Sequence, residues 1–452
     1  MPLQNRRNSY LSKKYHIHTF GCQMNVHDSE IIAGIFTDIG YKEAEGSNDA
    51  DVIVLNTCSI REKAEQKFYS ELGRFRKLKH HNPLLRIAVA GCIAQQQGNG
   101  LFRKFPYVDF VFGPNNIDSL KTWINNGAQN TEPPRRVTAL HDNPEYHRKF
   151  LPVKREGGVR AWVSIMYGCD NFCAYCVVPY TRGRERSRHY LDIYEEVRSL
   201  ADEGYKEITL LGQNVNSYGI KSNLNINFPE LLEKLHKING IERIRFVTSH
   251  PRDLSADLIT KISGLSKVCE HLHLPVQSGS DRVLMLMNRG YASGEYKEKI
   301  RTLRSAVPSI AITTDIIVGF PGETEEDFQL TMDILSAVEY DGIFAFKYSK
   351  RPDTKALHLP GHIEEEVKAI RLAKVLALQE GITYQKNRRL EGQAVEILVE
   401  GKSESDPDKM TGRTGTNKIV NYYGSATDIG KILRVKIVEA KQHSLYGEKI
   451  EG

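Results

Sequence analysis

The stretch Gly168-Cys-Asp-Asn-Phe-Cys-Ala-Tyr-Cys176 places three cysteines, Cys169, Cys173 and Cys176, in C-x3-C-x2-C spacing directly after an apolar run. Clustered cysteines mark metal sites, and thiolate is the usual protein ligand of iron–sulfur clusters. Three thiolates leave one iron of a cubane cluster without a protein ligand. A structural zinc site needs a fourth Cys or His nearby, and His189 is too far along the sequence to serve. The motif therefore predicts an iron–sulfur cluster that has one open iron.

The apolar run before this motif, Val159–Tyr167, is the first of six predicted strands that alternate with helical patterns. Such alternation indicates a parallel sheet that is covered by helices. Six βα units are too few to close an eight-stranded barrel, so we expect a partial (β/α)6 TIM-like barrel over residues 155–385. Active sites of such folds lie at the carboxyl ends of the strands, where the cysteine motif begins. The other five predicted strands are Glu207–Leu211, Arg243–Thr248, His271–Pro275, Ile310–Val318 and Gly342–Lys347.

An earlier series of βα units predicts a separate parallel α/β domain over residues 14–130. Each of its first three strands ends at a cysteine, namely Cys22, Cys58 and Cys92. Because the carboxyl ends of parallel strands share one edge of the sheet, we expect these thiols to form a second cluster site. The alternative is three buried structural thiols, since cysteine is often buried. The three strands are Lys14–Cys22, Asp51–Cys58 and Arg86–Cys92.

Two further segments complete the expected α/β architecture. Residues 125–158 are polar and rich in Pro and Gly, which predicts a linker or an irregular crossover. Glu364–Arg388 has a helical pattern, and short alternating strands separated by turn residues follow it. These strands predict a small antiparallel β-barrel over residues 388–451. They are Ala394–Glu400, Lys418–Tyr423 and Lys431–Val438.

Composition narrows the class of protein. The chain has 452 residues, of which 40% are hydrophobic and 26% charged, as expected for a globular protein of about three domains. No run approaches the ~18 apolar residues of a membrane span, and the basic start lacks the apolar core of a secretory signal. We therefore expect a cytoplasmic protein that does not bind membranes, whose seven cysteines are thiols or metal ligands. We expect the leftover cysteine, Cys269, to be buried and inert. The net charge of +6 permits a polyanionic partner without requiring one.

Together the motifs resemble the methylthiotransferase branch of the radical S-adenosylmethionine family over almost the whole chain. The C-terminal barrel is similar to the TRAM domain, which holds RNA in this family. The resemblance implies two [4Fe–4S] clusters and S-adenosylmethionine, whose amino and carboxyl groups chelate the open iron of the cluster at Cys169, Cys173 and Cys176. The N-terminal motifs that carry it are Thr19–Asn25, Asp28–Glu30, Asn56–Glu62 and Gly91–Gln95.

The chemistry implied by this resemblance is radical C–H activation followed by transfer of a methylthio group. Position 2 of adenine carries an unactivated C–H bond that acid–base groups cannot break, whereas a cofactor radical can. One electron from the first cluster splits S-adenosylmethionine, and the resulting radical removes the hydrogen. The second cluster holds sulfur, which a second S-adenosylmethionine methylates before transfer. The resemblance also implies an electron donor such as flavodoxin or ferredoxin and a source of sulfur, and we expect a monomer.

Members of this branch differ in substrate. The segments Leu211–Tyr218 and Phe344–Ser349 look like the class that modifies N6-isopentenyladenosine (dimethylallyladenosine) beside the anticodon in the tRNA stem-loop. A second class modifies threonylcarbamoyladenosine at the same position, and a third modifies an aspartate of a ribosomal protein. The competing class is a non-enzymatic iron–sulfur module that binds RNA, which explains six cysteines and the barrel but not the open iron.

The expected ligand contacts follow from the same resemblance. Tyr175 is placed against the adenine of the cofactor, while later strand ends and their turns supply further polar contacts. For each of these, the alternative is a polar residue that only satisfies loop backbone. An arginine-rich loop after the cysteine motif is expected to contact RNA phosphates, since guanidinium groups match phosphate oxygens, or else to be a solvated basic loop. The strand-end residues are Gln213, Ser249, Gln277 and Asp315, and the arginines are Arg182, Arg184, Arg186 and Arg188.

Overall fold

The computed structural model describes residues 13–59, 62–128, 136–141, 151–155, 157–222 and 224–450. The chain divides into two compact units. The first contains residues up to Glu156 together with Tyr180–Arg182, and the second contains Gly157–Pro179 together with Gly183–Gly452. Among the described residues, no helix combines the length and the apolar content of a membrane span.

A parallel six-stranded sheet forms the centre of the first unit, in the order β2-β1-β3-β4-β5-β6. Every residue of β3 and β4 is buried, which explains why these strands are continuous apolar runs covered on both faces. The strands are β1 Lys14–Phe20, β2 Lys42–Glu43, β3 Val52–Thr57, β4 Arg86–Gly91, β5 Phe110–Phe112 and β6 Val137–Ala139. The helices are α1 Gln23–Asp38, α2 Glu62–His81, α3 Cys92–Gln97, α4 Gly100–Lys104 and α5 Ser119–Ala128.

Two three-stranded parallel sheets form the first part of the second unit, in the orders β11-β10-β7 and β12-β13-β14. A parallel bridge between Ile244 of β11 and Val268, just before β12, connects them. The six strands therefore follow one another as in an open, partial barrel. They are β7 Arg160–Ser164, β10 Glu207–Leu211, β11 Arg243–Phe246, β12 His271–His273, β13 Ala311–Val318 and β14 Gly342–Lys347, and a short pair β8 Met166–Tyr167 and β9 Arg186–Ser187 lies beside them.

Helices alternate with these strands and begin at clear capping residues. Asn227 and Glu230 form a capping box at the start of α8, where Pro229 occupies the first turn, and Thr324 and Asp327 form another at α12. The apolar faces of these helices pack on the strands in one continuous core. The helices are α6 Val178–Thr181, α7 Tyr190–Asp202, α8 Phe228–His236, α9 Ala256–Gly264, α10 Asp281–Leu286, α11 Ser293–Ala306, α12 Glu325–Val338 and α13 Glu365–Arg388.

A closed five-stranded barrel follows α13, in the order β15-β16-β17-β19-β18. Four of its pairings are antiparallel, as expected, but the pairing of β17 with β19 is parallel. Arg245 of β11 anchors the barrel, because its Nη atoms donate to the carbonyls of Thr414 and Gly415 at 2.7 and 3.0 Å. The buried carboxylate of Glu207 lies 2.9 Å from Nε of the same arginine. The strands are β15 Ala394–Lys402, β16 Met410–Thr414, β17 Ile419–Tyr422, β18 Ile432–Ala440 and β19 Leu445–Lys449.

The structure confirms the α/β class and the C-terminal barrel, and it corrects the expected elements at several places. The predicted linker 125–158 contains the end of α5 and the strand β6, while residues 129–135, 142–150 and 156 of that stretch lie outside the described residues. The predicted N-terminal domain lacked β2, β5 and β6, which have two or three residues each and carry too little apolar pattern to identify. The predicted C-terminal barrel lacked β16 and β19, both of which are interrupted by glycine.

Candidate functional site

The topology brings the three N-terminal cysteines to one edge of the first sheet. Cys22 is the N-cap of α1 after β1, Cys58 follows β3, and Cys92 is the first residue of α3 after β4. The strands β1, β3 and β4 are direct neighbours, so their carboxyl ends are adjacent. Gly21 has a φ of +144°, and a Cβ there would lie 2.5 Å from Cβ of Cys58. Glycine is therefore required for this close approach of Cys22 and Cys58.

A buried pair of asparagine side chains holds two of these cysteines in place. Asn25 Nδ2 donates to Asn56 Oδ1 at 3.2 Å and to the carbonyl of Thr57 at 3.1 Å, while Asn56 Nδ2 donates to the carbonyl of Asn25 at 2.8 Å. The thiol of Cys22 donates to Asn25 Oδ1 at 3.3 Å. Because buried amides are costly to leave unpaired, this network fixes the start of α1 against the end of β3.

A buried arginine lies close to the same thiols. Arg182, which belongs to the first unit, donates from Nη2 to Asp28 Oδ2 at 2.8 Å. The pKa of Cys22 is lowered to about 6, mainly by its hydrogen bond with Cys58 and in part by the charge of Arg182. Burial raises the pKa of Cys92, and the positive charge of the Arg182 guanidinium offsets part of that rise. A positive charge beside thiol groups favours thiolate, which is the form that binds metal.

The second cysteine set lies in the loop after β8. Gly168 has a φ of +71°, and a Cβ there would lie 2.1 Å from the carbonyl oxygen of Arg184, so only glycine fits. The amide of Cys169 donates to the carbonyl of Gly183 at 3.2 Å. The amide of Ala174 donates to the carbonyl of Met287 at 2.9 Å. These backbone bonds fix the positions of the thiols on both sides of the loop.

The thiols of this loop are half-buried or buried. Burial raises the pKa of Cys169 to about 11 and also raises that of Cys176. Within the described residues, no three His, Cys, Asp or Glu side chains converge on a position for a single metal ion. An iron–sulfur cluster differs from a single ion because its thiolates bind separate irons. Both sets of three cysteines therefore remain predicted cluster sites. Their donors fit this prediction, because thiolate sulfur is the usual protein ligand of iron–sulfur clusters.

Arg289 contacts the cysteine motif, and the sequence analysis did not predict this contact. Its Nη1 donates to Cys173 Sγ at 3.3 Å and to the hydroxyl of Tyr175 at 3.3 Å. Burial holds the pKa of Tyr175 well above its usual value, and the positive charge of Arg289, which favours the phenolate, offsets only part of this rise. A lone arginine in the sequence Asn288-Arg-Gly290 carries no pattern that would have revealed this role.

Three of the predicted cofactor contacts present buried polar atoms that have no partner among the described residues. These atoms are Oε1 of Gln213, Oγ of Ser249 and Oε1 of Gln277. They follow β10, β11 and β12, at the carboxyl ends where ligands bind in such folds. Thr248 and Gln277 also have φ values of +67° and +73°, which non-glycine residues rarely adopt outside functional sites. Unpaired buried polar atoms are costly, so these residues fit a polar cofactor such as S-adenosylmethionine.

Unlike Gln213, Ser249 and Gln277, Asp315 does not follow its strand. It lies inside β13 and not at the strand end, and its Oδ1 is 3.4 Å from Nε2 of His273. In register, Asp315 pairs with Phe344 and Ile317 pairs with Phe346 on the edge strand β14. The residues that alternate with them along β13 and β14 pack in the core beneath the helices. The side chains of Asp315, Phe344 and Phe346 therefore point to the opposite face, into the open barrel. Phe344 and Phe346 are 53% and 40% exposed there, which leaves an apolar surface beside one carboxylate.

The four arginines after the cysteine motif do not form one basic loop. Arg182 is buried and paired as described above, and Arg188, whose side chain is 11% exposed, donates to Glu196 Oε2 at 2.8 Å. The expectation of phosphate contacts is therefore wrong for these two, because their guanidinium groups are already engaged away from solvent. Arg184 is exposed and Arg186 lies half-buried in β9. The spacing of a charge run does not show which of its members turn inward.

The C-terminal barrel carries an aromatic and basic surface. The rings of Tyr423 and Tyr446 meet edge to face with centroids 6.1 Å apart, and Tyr423 is 62% exposed. Lys409 Nζ lies 5.1 and 5.0 Å from the two ring centroids and 2.9 Å from Asp406 Oδ2. Lys441 lines the adjoining cavity of about 280 Å³. Exposed aromatic rings beside cations are typical of surfaces that bind single-stranded nucleic acid.

Comparison with known proteins identifies three segments of the chain. Residues 14–113 match the Uncharacterized protein family UPF0004, residues 163–335 the Radical SAM superfamily, and residues 388–450 the TRAM domain. Among solved structures, the chain is similar to the radical S-adenosylmethionine methyltransferase TsrM from Kitasatospora setae, with a TM-score of 0.55, 15% identity and coverage of 76% of this chain and 75% of that one. At this identity the likeness concerns the fold alone.

Much closer relatives match almost the whole chain. A tRNA-2-methylthio-N(6)-dimethylallyladenosine synthase of Thermodesulfovibrio yellowstonii is 54% identical over 435 residues, or 96% of this chain and 98% of the relative. Relatives of the same name from Syntrophus aciditrophicus and Carboxydothermus hydrogenoformans are 51% and 49% identical, covering 97% and 96% of this chain and 95% and 99% of their own. The chain therefore belongs to the tRNA-2-methylthio-N(6)-dimethylallyladenosine synthase family of the radical S-adenosylmethionine superfamily.

Proposed function

We propose that this chain is a tRNA-modifying enzyme that methylthiolates C2 of N6-isopentenyladenosine beside the anticodon. The observation that carries this function is the near-full-length similarity to synthases of that name. The chain also has the equipment that the reaction needs, namely two sets of three thiols and a set of unpaired polar atoms at the strand ends. A non-enzymatic iron–sulfur module does not account for those polar atoms.

The two cysteine sets are proposed to hold two [4Fe–4S] clusters. Cys169, Cys173 and Cys176 would bind the cluster that takes S-adenosylmethionine at its open iron, and Tyr175, Gln213, Ser249 and Gln277 would contact that cofactor. Cys22, Cys58 and Cys92 would bind the second cluster. When bound, these groups supply the one-electron and sulfur chemistry that an unactivated C–H bond requires. The protein itself positions the thiols, buries Cys58, Cys92 and Cys169, and places one arginine beside each set.

The open barrel favours the isopentenyl substrate. Phe344 and Phe346 present an exposed apolar surface on the inner face of β14, which suits a five-carbon hydrocarbon tail. Asp315 lies on the same face, and its carboxylate would repel the carboxylate of a threonylcarbamoyl tail. The cations that would favour this second substrate are fewer than the sequence indicated, because Arg182 and Arg188 are paired with carboxylates.

Three further features belong to this proposal. The expected domain bounds 14–130, 155–385 and 388–451 correspond to a second-cluster domain, a radical core and an RNA-binding barrel. A low-potential electron donor such as flavodoxin or ferredoxin and a sulfur source act with the enzyme, since each turnover of the proposed reaction consumes electrons and sulfur. A monomer that works in the cytoplasm, where tRNA is found, is consistent with these partners.

The C-terminal barrel is proposed to capture the tRNA through Tyr423, Tyr446 and Lys409. Replacing Tyr423 with alanine removes a stacking surface that contributes ~1–3 kcal/mol per base, so we expect tRNA affinity to fall about tenfold. Cleavage of S-adenosylmethionine without tRNA should not change. Fluorescence anisotropy with a labelled anticodon stem-loop, at one fixed salt concentration, measures the affinity.

The matched control is Tyr384→Ala, which removes another exposed tyrosine, on α13. It should bind the stem-loop as tightly as the unchanged protein. Equal affinity of the Tyr423→Ala variant and the unchanged protein would place the RNA surface elsewhere on the barrel.

The function itself is tested in cells. Mass spectrometry of nucleosides from total tRNA should show 2-methylthio-N6-isopentenyladenosine in cells that contain the protein. Without it, the N6-isopentenyladenosine precursor should accumulate instead. An unchanged level of the methylthio product after removal of the protein would contradict the proposed activity.

A further inference from the structure

A buried cation lies directly against the core cysteine motif. Arg289 is only 4% exposed, and within the part of the chain that the structure describes no carboxylate lies within 4.0 Å of its guanidinium. Its Nη1 donates a hydrogen bond to Cys173 Sγ of the motif at 3.3 Å. A buried charge without a counter-charge is strongly destabilising, so negative charge on Cys173 Sγ would stabilise the buried guanidinium.

The remaining donors of Arg289 are engaged by neutral groups. Nη2 donates to the carbonyl of Pro275 at 2.7 Å, and Nε donates to the hydroxyl of Tyr291 at 3.1 Å. Nη1 also donates to the hydroxyl of Tyr175 at 3.3 Å. Four of the five guanidinium hydrogens therefore have partners, and the group lacks the two parallel donors needed to grip a carboxylate as a fork. The guanidinium is therefore oriented to donate to Cys173 Sγ and not to bind the carboxylate of a ligand.

We infer that Arg289 is a positioning residue that raises the reduction potential of the cluster held by Cys169, Cys173 and Cys176. This inference rests on the proposed function, because it requires a cluster at those cysteines. Reduction adds one electron, and hence one negative charge, to the cluster. A fixed positive charge and a hydrogen bond to a ligating sulfur both stabilise that added charge. The enzyme can thereby accept an electron from a weaker one-electron donor.

The test measures the midpoint potential of the core cluster in the full-length, cluster-loaded protein. The cluster is reduced stepwise with dithionite and followed by electron paramagnetic resonance, and the core signal is the one that changes when S-adenosylmethionine is added. In Arg289→Gln, which keeps polar atoms but loses the charge, the potential should become more negative. At the potential that half-reduces the unchanged protein, the ratio of reduced to oxidised cluster should fall about tenfold.

Two further variants separate charge from structure. Arg289→Lys keeps the charge but not the planar set of donors, so its potential should lie between those of the unchanged protein and Arg289→Gln. Arg252→Gln removes a half-exposed arginine that donates to Asn171 Oδ1 of the same motif at 2.6 Å, and it should leave the potential unchanged.

The outcomes are distinct. A loaded Arg289→Gln variant with an unchanged potential overturns the inference, as does equal loss of the core cluster in Arg289→Gln and Arg289→Lys, which would indicate a structural role. If only Arg289→Gln loses the cluster while Arg289→Lys keeps it at a potential slightly more negative than that of the unchanged protein, the role of the charge is supported. Absence of a core cluster from the unchanged protein would instead contradict the proposed function.

Discussion

Replacing Cys169, Cys173 and Cys176 together with alanine is expected to abolish reductive cleavage of S-adenosylmethionine while leaving about four irons per chain. The activity should fall to the background rate, because these three thiols are proposed to hold the cluster that binds the cofactor. The remaining iron should stay because the other three cysteines belong to the separate first unit. Iron analysis and the release of 5′-deoxyadenosine under dithionite measure the two effects.

Cys269→Ala is the matched control for this variant. Cys269 is buried beside Arg243 and Arg245, and burial raises the pKa of its thiol to about 11, as expected of an inert residue. Its replacement should change neither the iron content nor the cleavage rate. Complete loss of iron from the triple variant would show that the two cysteine sets do not bind clusters independently.

The reciprocal variant, in which Cys22, Cys58 and Cys92 are replaced with alanine, should separate the two halves of the reaction. Cleavage of S-adenosylmethionine should continue, because the thiols of the core loop are fixed by contacts within the second unit. The methylthio product should disappear, since the proposed holder of sulfur is lost. Chromatography with mass detection of the digested tRNA and of 5′-deoxyadenosine follows both quantities in one reaction.

A companion variant, Asn25→Ala, disturbs the support of Cys22 instead of replacing the cysteines. It removes the amide that accepts from the thiol of Cys22 but leaves all three thiols. We expect it to lose part of the second cluster and a matching part of the product. Full product formation by the triple variant would show that the sulfur does not come from these cysteines.

The fold was predictable where local pattern and burial agree. The strands β3 and β4 are buried on both faces, so their apolar runs indicated both their extent and the cysteines that follow them. Pairing between distant segments carried no such local signal. The strand β19 pairs in parallel with β17 and closes the barrel, yet its sequence, Leu-Tyr-Gly-Glu-Lys, lacks a clear alternation. Such an element depends on tertiary context more than on its own residues.

The candidate site was predictable where the ligand type and the spacing coincide, as in the C-x3-C-x2-C motif. Its supporting charges were not. Arg182 belongs to a run of arginines that reads as a solvated loop, and its burial against Asp28 depends on a contact across the fold. Arg289 is likewise brought to Cys173 by tertiary structure alone. The surroundings of the thiols therefore required the structure, while the thiols themselves did not.

The central claim is tested most directly by offering the purified, cluster-loaded protein two tRNAs, one bearing N6-isopentenyladenosine and one bearing N6-threonylcarbamoyladenosine beside the anticodon. With S-adenosylmethionine and a reductant, the methylthio product should form on the isopentenyl tRNA, because we propose that its apolar tail packs on the exposed rings of Phe344 and Phe346. Product on the threonylcarbamoyl tRNA alone would contradict the substrate assignment. Product on neither tRNA, with the cofactor still cleaved, would point instead to the class that modifies a ribosomal protein.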